Sequence, residues 1–117
     1  MSLSKKHKGY FYEDLVKEFL IKKGWVFVES NFTMRGWEID LIFLSPEGIY
    51  VFVEVRSVDF LEDVSEYITH QKLKNLKKTI QYYMLTHGDS QKDYRLDVIF
   101  VKDNDILEHI QNVLIDY

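Results

Sequence analysis

Asp40, Glu54 and Arg56 are the residues through which this chain could do chemistry. Each interrupts an apolar run that burial alone would leave uncharged: Trp37-Glu38-Ile39-Asp40-Leu41-Ile42-Phe43-Leu44 first, then Ile49-Tyr50-Val51-Phe52-Val53-Glu54-Val55-Arg56. The intervening Ser45-Pro46-Glu47-Gly48 is turn chemistry, because Pro presets φ and Gly supplies a positive one. Two strands joined by a short turn make a hairpin, which sets Asp40 and Glu54 on neighbouring strands. Strand side chains alternate between faces, so Glu54 and Arg56 share one. If Asp40 projects from that face as well, two carboxylates and a guanidinium converge, the arrangement of a divalent-metal site beside a cation.

A plainer reading competes. Half-exposed strands often carry a Glu and an Arg as a solvated cross-strand pair, worth roughly a few tenths of a kcal/mol. Against it stand the neighbours: Leu41, Ile42, Phe43, Val51, Phe52, Val53 and Val55 are expected to be buried on both faces. An unpaired carboxylate in such a setting costs several kcal/mol, and two of them repel unless a metal or a proton intervenes. A cation-binding pair explains both.

Such a site needs a scaffold, and 117 residues suffice for one domain with one core. A 46% hydrophobic content places the chain among folded globular proteins. Cysteine is absent, which excludes disulfides and thiolate metal sites and agrees with a reducing, cytoplasmic setting. No apolar stretch approaches a membrane span, and the N-terminus lacks a secretory apolar core. The net charge of −4 argues against broad electrostatic coating of nucleic acid. Basic residues are nevertheless clustered, at Lys5, Lys6, His7 and Lys8 and again at Lys72, Lys74, Lys77 and Lys78.

From about Ser4 to Lys23, Tyr12, Leu15, Val16, Phe19 and Leu20 recur at helical spacing, and Gly24 is a stop signal. Glu13 lies on the margin of that stripe, where it is either an ordinary solvated side chain or one that reaches across a groove. Residues 25–32 read as a strand and 33–36 as a connection. Residues 57–65 lack periodicity and read as a loop, solvated by its carboxylates or serving as a flap. A second helix is expected over residues 66–87, with Leu73, Leu76, Ile80, Tyr83 and Met84 as its stripe and Gly88 as its end. Lys72 borders that stripe, placed to be solvated or to meet a phosphate. Residues 94–101 read as a further strand, and 106–117 fit either a short strand or a helix. The order α-β-β-β-α-β predicts an α/β fold, a mixed sheet flanked by helices.

These motifs together resemble the YraN-like family of uncharacterised, predicted endonuclease-like proteins. That family belongs to the PD-(D/E)xK nuclease superfamily and is similar to archaeal Holliday-junction resolvases. Tyr12-Glu13-Asp14-Leu15-Val16 is similar to its first-helix motif, and Trp37-Glu38-Ile39-Asp40-Leu41-Ile42 to its G-E-I-D-L-I signature. Val51-Phe52-Val53-Glu54-Val55-Arg56 resembles V-F-V-E-V-K, and Arg95-Leu96-Asp97-Val98 resembles R-F-D-V. Lys72 with Leu76, and His109 with Asn112, extend the match over nearly the whole chain.

The resemblance implies a restriction-endonuclease-like fold and a catalytic set of Glu13, Asp40, Glu54 and Arg56. It implies Mg²⁺ or Mn²⁺ held by Asp40, Glu54 and the Val55 carbonyl, with Glu13 acting through water or a second ion. Lys72 and Arg35 are the expected nucleic-acid contacts. Structured or branched DNA is the expected partner, and symmetric cutting of a junction would favour a homodimer. The chain departs from the family at Arg56, where a lysine is usual, at Tyr12 and Trp37, where glycine is usual, and at Val58, where a basic residue is usual. Arginine remains protonated and cannot serve as a general base. The alternative is therefore a nuclease fold without catalysis, binding DNA or protein. The histidines lack metal-ligand spacing and the glycines form no phosphate loop, so zinc enzymes and nucleotide-dependent enzymes are not expected.

Overall fold

The computed structural model describes residues 5–59 and 68–114, with side chains from residue 11 onward. The elements are α1 (Lys5–Lys22), β1 (Val26–Met34), β2 (Trp37–Leu44), β3 (Tyr50–Ser57), α2 (His70–Thr86), β4 (Tyr94–Lys102) and β5 (Asp105–Ile110). They form one mixed sheet in the order β1-β2-β3-β4-β5. Pairing is antiparallel throughout except for β3 and β4, which run parallel and are joined through α2. No helix among the described residues is long and apolar enough to cross a membrane.

The helices cover opposite faces of the sheet. Val16 and Leu20 of α1, both fully buried, pack on Leu41, Phe43, Val51 and Val53. On the other face Leu76, Ile80 and Tyr83 of α2 pack on Ile42, Phe52 and Leu96. The near-continuous apolar runs of β2, β3 and β4 follow from burial on both sides. Helix α1 stops as its sequence dictates. Gly24 takes φ 88°, and the Trp25 N–H returns to the Leu20 carbonyl at 3.1 Å. The N-cap of α2 is Thr69, whose side chain accepts from the Lys72 N–H. That cap moves the start of the helix to His70, later than the periodicity suggests, because residues 68 and 69 are not helical. The remainder of that expected first turn, and the loop expected over 57–65 from residue 60 on, lie outside the described residues.

Two further boundaries differ from the sequence reading. Strand β1 runs on through Met34, and only Arg35 and Gly36 turn the chain, both with positive φ (52° and 83°). A two-residue turn of that hand matches the twist of the strands it joins. The first part of the ambiguous tail forms strand β5, whose antiparallel pairing to β4 completes an α-β-β-β-α-β-β order; residues 111–114 are not strand, and 115–117 lie outside the described residues. The Ser45–Gly48 turn forms as expected, with the Gly48 N–H returning to the Ser45 carbonyl at 2.9 Å.

Candidate active site

The ladder between β2 and β3 ends at the Leu41–Val53 pair. Beyond it the strands part, and the parting leaves backbone donors to be satisfied by other groups. The Asp40 side chain supplies one of them: its Oδ2 accepts from the Val55 N–H at 2.8 Å. Asp40 is also where β2 departs from strict alternation. Ile39 and Ile42 both belong to the core layer beneath α2, whereas Leu41 between them faces α1. On β1, the ladder pairs Ser30 with Leu41 and Phe32 with Ile39, which leaves Asn31 opposite Asp40. Asn31 has φ 56°, a left-handed conformation within a strand.

Into this opening five elements send polar side chains. Glu54 is 2% exposed, and its Oε2 accepts from Arg56 Nη2 at 3.3 Å. Its Oε1 is buried and has no hydrogen-bond partner among the described residues. Glu13 reaches across from α1, where its Oε1 accepts from Asn31 Nδ2 at 3.1 Å. The same amide nitrogen donates to Glu38 Oε1 at 2.7 Å. Lys72, half-buried at the start of α2, lies in the field of Glu54, Asp40 and Arg56.

The electrostatics follow from burial. Desolvation raises the Glu54 carboxyl to about 8, Asp40 adds to the rise, and Arg56, Lys72 and the Asp40 backbone amide oppose it. Burial also raises Asp40, against the pull of the Val55 N–H and Arg56. Glu13 is raised to about 7, by burial first and Asp40 second, with the Asn31 hydrogen bond opposing. Burial and then Arg56 hold the Lys72 ammonium below its ordinary range. Acids that resist ionising beside one another are the mark of a site that lacks positive charge. Among the described residues no three carboxylates or imidazoles form a ready-made metal cage. Asp40 and Glu54 form a pair, which suits an ion that keeps several of its own waters.

Of the residues expected from sequence, Glu13, Asp40, Glu54, Arg56 and Lys72 come together. Val55 stands beside them through the N–H it gives to Asp40, while its side chain turns to the α1-side core. Arg35 does not join the cluster; it is exposed at the tip of the β1–β2 turn. Tyr12, where the family has glycine, packs against the α1-side core. Sequence reasoning missed Asn31 and Glu38. A strand-breaking Asn amid Val26–Phe32, and a Glu two residues ahead of Asp40, were the available signals.

A second polar cluster lies on the α1-facing side of β4. Asp97, fully buried, accepts from Arg95 Nε at 3.0 Å and from the Asn112 N–H at 2.9 Å, and pairs with His109 Nε2 at 2.7 Å. Trp25 packs edge-on to His109 and beneath Arg95. Every lone-pair direction of Asp97 is engaged, so this cluster fastens β5 and the following turn to β4.

Fold and site together define a mixed α/β domain with a buried glutamate beside a half-buried aspartate at a strand opening, flanked by an arginine and a lysine. The chain belongs to the uncharacterised protein family UPF0102, whose model matches residues 12–101. It is 39% identical over 105 residues to a UPF0102 protein of Vibrio campbellii, covering 86% of this chain and 85% of that one. A UPF0102 protein of Campylobacter concisus is 37% identical over 101 residues, covering 86% and 88%. Among solved structures, a repair endonuclease from Pyrococcus abyssi superposes with a TM-score of 0.47 at 11% identity, over 88% of this chain and 41% of that one. An XisH family protein from Nostoc punctiforme gives 0.47 at 15% identity, over 85% and 98%.

Proposed function

We propose that this chain is a metal-dependent endonuclease that hydrolyses phosphodiester bonds in structured or branched DNA. One observation carries the reading: Glu54 Oε1 is buried without a partner among the described residues, beside the half-buried carboxylate of Asp40. A protein interior does not ordinarily leave an acceptor so placed unless something else completes it. Asp40 and Glu54, with the Val55 carbonyl, would hold Mg²⁺ or Mn²⁺. Such an ion supplies Lewis acidity and a water activated towards phosphorus.

The protein's own groups account for the rest. The Val55 N–H holds the Asp40 carboxylate by one oxygen, Oδ2, which would leave the other to an ion. Arg56 and Lys72 place positive charge where a phosphate would gather negative charge in the transition state. Glu13, raised to about 7, is poised to exchange a proton with a bound water near neutral pH. Lys72 and the exposed Arg35 would contact the DNA backbone, and a two-fold pair of chains would suit a two-fold junction.

Calorimetric titration of Mn²⁺ into wild type and Asp40→Asn, followed by cleavage assays on four-way junctions, tests this. Binding and cleavage by wild type that both vanish in Asp40→Asn are expected. Cleavage that persists in Asp40→Asn, or wild type that binds no Mn²⁺, rules the reading out.

One observation favours a second reading. Arg56, in place of the family lysine, is engaged with Glu54 and cannot take up a proton. On that reading the chain binds DNA or a protein partner without cutting. Arg56→Lys separates the two: cleavage that appears only in this variant means that the natural chain keeps the fold without the reaction.

A further inference from the structure

Asn31 holds a conformation that strand residues rarely hold. Its φ of 56° lies in the left-handed region, between two residues that are both paired in the β1–β2 ladder. Such strain persists only where the surroundings over-determine it, and it concentrates at functional sites. Asparagine is among the few residues other than glycine that enter the region readily.

What fixes it is on view. An amide nitrogen carries two hydrogens, and Asn31 gives one to Glu13 Oε1 at 3.1 Å and the other to Glu38 Oε1 at 2.7 Å. One small group thus ties helix α1 to strand β2, from a position opposite Asp40. The left-handed backbone makes this possible, since it swings the side chain out of the pleat while Ser30 and Phe32 stay in register.

We infer that Asn31 is a positioning residue for the acidic site: it acts through Glu13, holding that carboxylate beside Asp40, from where it would reach a divalent ion through one of the ion's own waters. The inference rests on the metal-dependent reading above. Without the tether, Glu13 would face the like charges of Asp40 and Glu38 with nothing to keep it there, and a flexible side chain in that position turns to solvent. A neutral amide suits the task better than a lysine or arginine. It holds two carboxylates without adding the positive charge that would displace a cation.

The test is a set of Mn²⁺ titrations by calorimetry on wild type, Asn31→Gly, Glu13→Ala and the double variant, each with a thermal melt. Glycine accepts the left-handed backbone at no steric cost, so Asn31→Gly removes the amide and keeps the strand path. We expect its melting temperature to stay within about 4 °C of wild type. Its Mn²⁺ affinity should fall about tenfold, the scale of losing a residue that orients a ligand. In the Glu13→Ala background the same change should cost nothing further, because the carboxylate through which Asn31 acts is gone. Unchanged affinity in Asn31→Gly, or the same tenfold loss with and without Glu13, overturns the inference alone. So does a melting temperature that collapses while the folded fraction binds Mn²⁺ as wild type does. Wild type that binds no Mn²⁺ overturns the metal-dependent reading and this inference with it.

Discussion

Arg56 Nη2 donates to one oxygen of the Glu54 carboxylate at 3.3 Å, while the other oxygen of that carboxylate has no partner among the described residues. Arg56 is itself 27% exposed along its side chain, against 3% for Glu54. The arginine can therefore be solvated without the glutamate, but the glutamate has no recourse to water. A buried pair of this kind is weak as a source of stability, because desolvation offsets much of the Coulombic gain. Its asymmetry points instead to a site that waits for charge.

Glu54→Gln follows directly. Glutamine has the size of glutamate and can still accept from Arg56, but carries no charge to desolvate. The metal-free variant should be more stable than wild type above pH 8 by about 1–2 kcal/mol, measured by urea denaturation. Its Mn²⁺ affinity should fall by at least about tenfold. A variant less stable than wild type at that pH would show that ionised Glu54 is a net structural asset.

The raised carboxyl groups set a pH dependence with a definite sign. Glu54 moves from 4.5 to about 8 in the folded protein, so the native state holds its proton where the unfolded chain has lost it. The unfolded chain then binds fewer protons, and stability falls as pH rises. The metal-free protein should be most stable below about 4.5 with respect to this group, and lose that contribution progressively up to about 8. Glu13, raised to about 7, adds in the same sense. Melts across this range, with and without saturating Mn²⁺, check it. The ion should flatten the decline, because it takes the proton's place.

Lys72 and Arg35 occupy different settings, and DNA binding should distinguish them. Each lysine or arginine that neutralises a phosphate contributes about 0.9 to the slope of log affinity against log salt. Lys72→Ala should reduce that slope by about this amount, since Lys72 borders the acid pair. Arg35→Ala reports on whether DNA extends to the β1–β2 turn; an unchanged slope there confines the contact to the strand opening.

Asp97 offers a contrast, because nothing about it is unsatisfied. Asp97→Ala would strand Arg95 and His109, whose side chains are only 17% and 9% exposed. The cost should be about 3–5 kcal/mol by denaturant titration. Mn²⁺ affinity should stay as in wild type, since Asp97 lies across from Val53 on the α1-facing side of the sheet, whereas Glu54, the next residue of β3, projects from the other side. A loss of metal binding without a loss of stability would reverse the assignment of this cluster as a fastening.

The sequence carried the hairpin and its acids clearly, for a physical reason. A charged residue inside an apolar run is conspicuous because burial penalises it, and Asp40, Glu54 and Arg56 are all of that kind. The β2–β3 turn was legible too, because Pro46 and Gly48 have few other uses so close together. Helix α2 was misjudged at its start because hydrophobic period cannot locate a cap; Thr69 does so through one side-chain hydrogen bond. Asn31 was not legible as a participant. Its role depends on a left-handed backbone and on two partners, 18 and seven residues away in sequence, and neither leaves a periodic trace. The Asp97 cluster was visible only as motif fragments, since its hydrogen bonds join β4 to a turn beyond β5 whose path depends on tertiary pairing.

The order in which strands meet bears on how this molecule is made. Strands β1, β2 and β3 follow one another through short turns, so they can pair with little closure of chain. Strand β4 must wait for α2 to cross before it can lie parallel to β3. Asn31, Asp40, Glu54 and Arg56 all belong to the first group. A chain emerging from synthesis would thus bring its acids together early and carry them, with Arg56 as their one compensating partner in β1–β3, until Lys72 arrives with the crossover helix. Pulse-labelled hydrogen exchange during refolding would register this as protection of β1–β3 amides ahead of those in β4. Metal supplied at that stage would act on folding before it acted on any substrate.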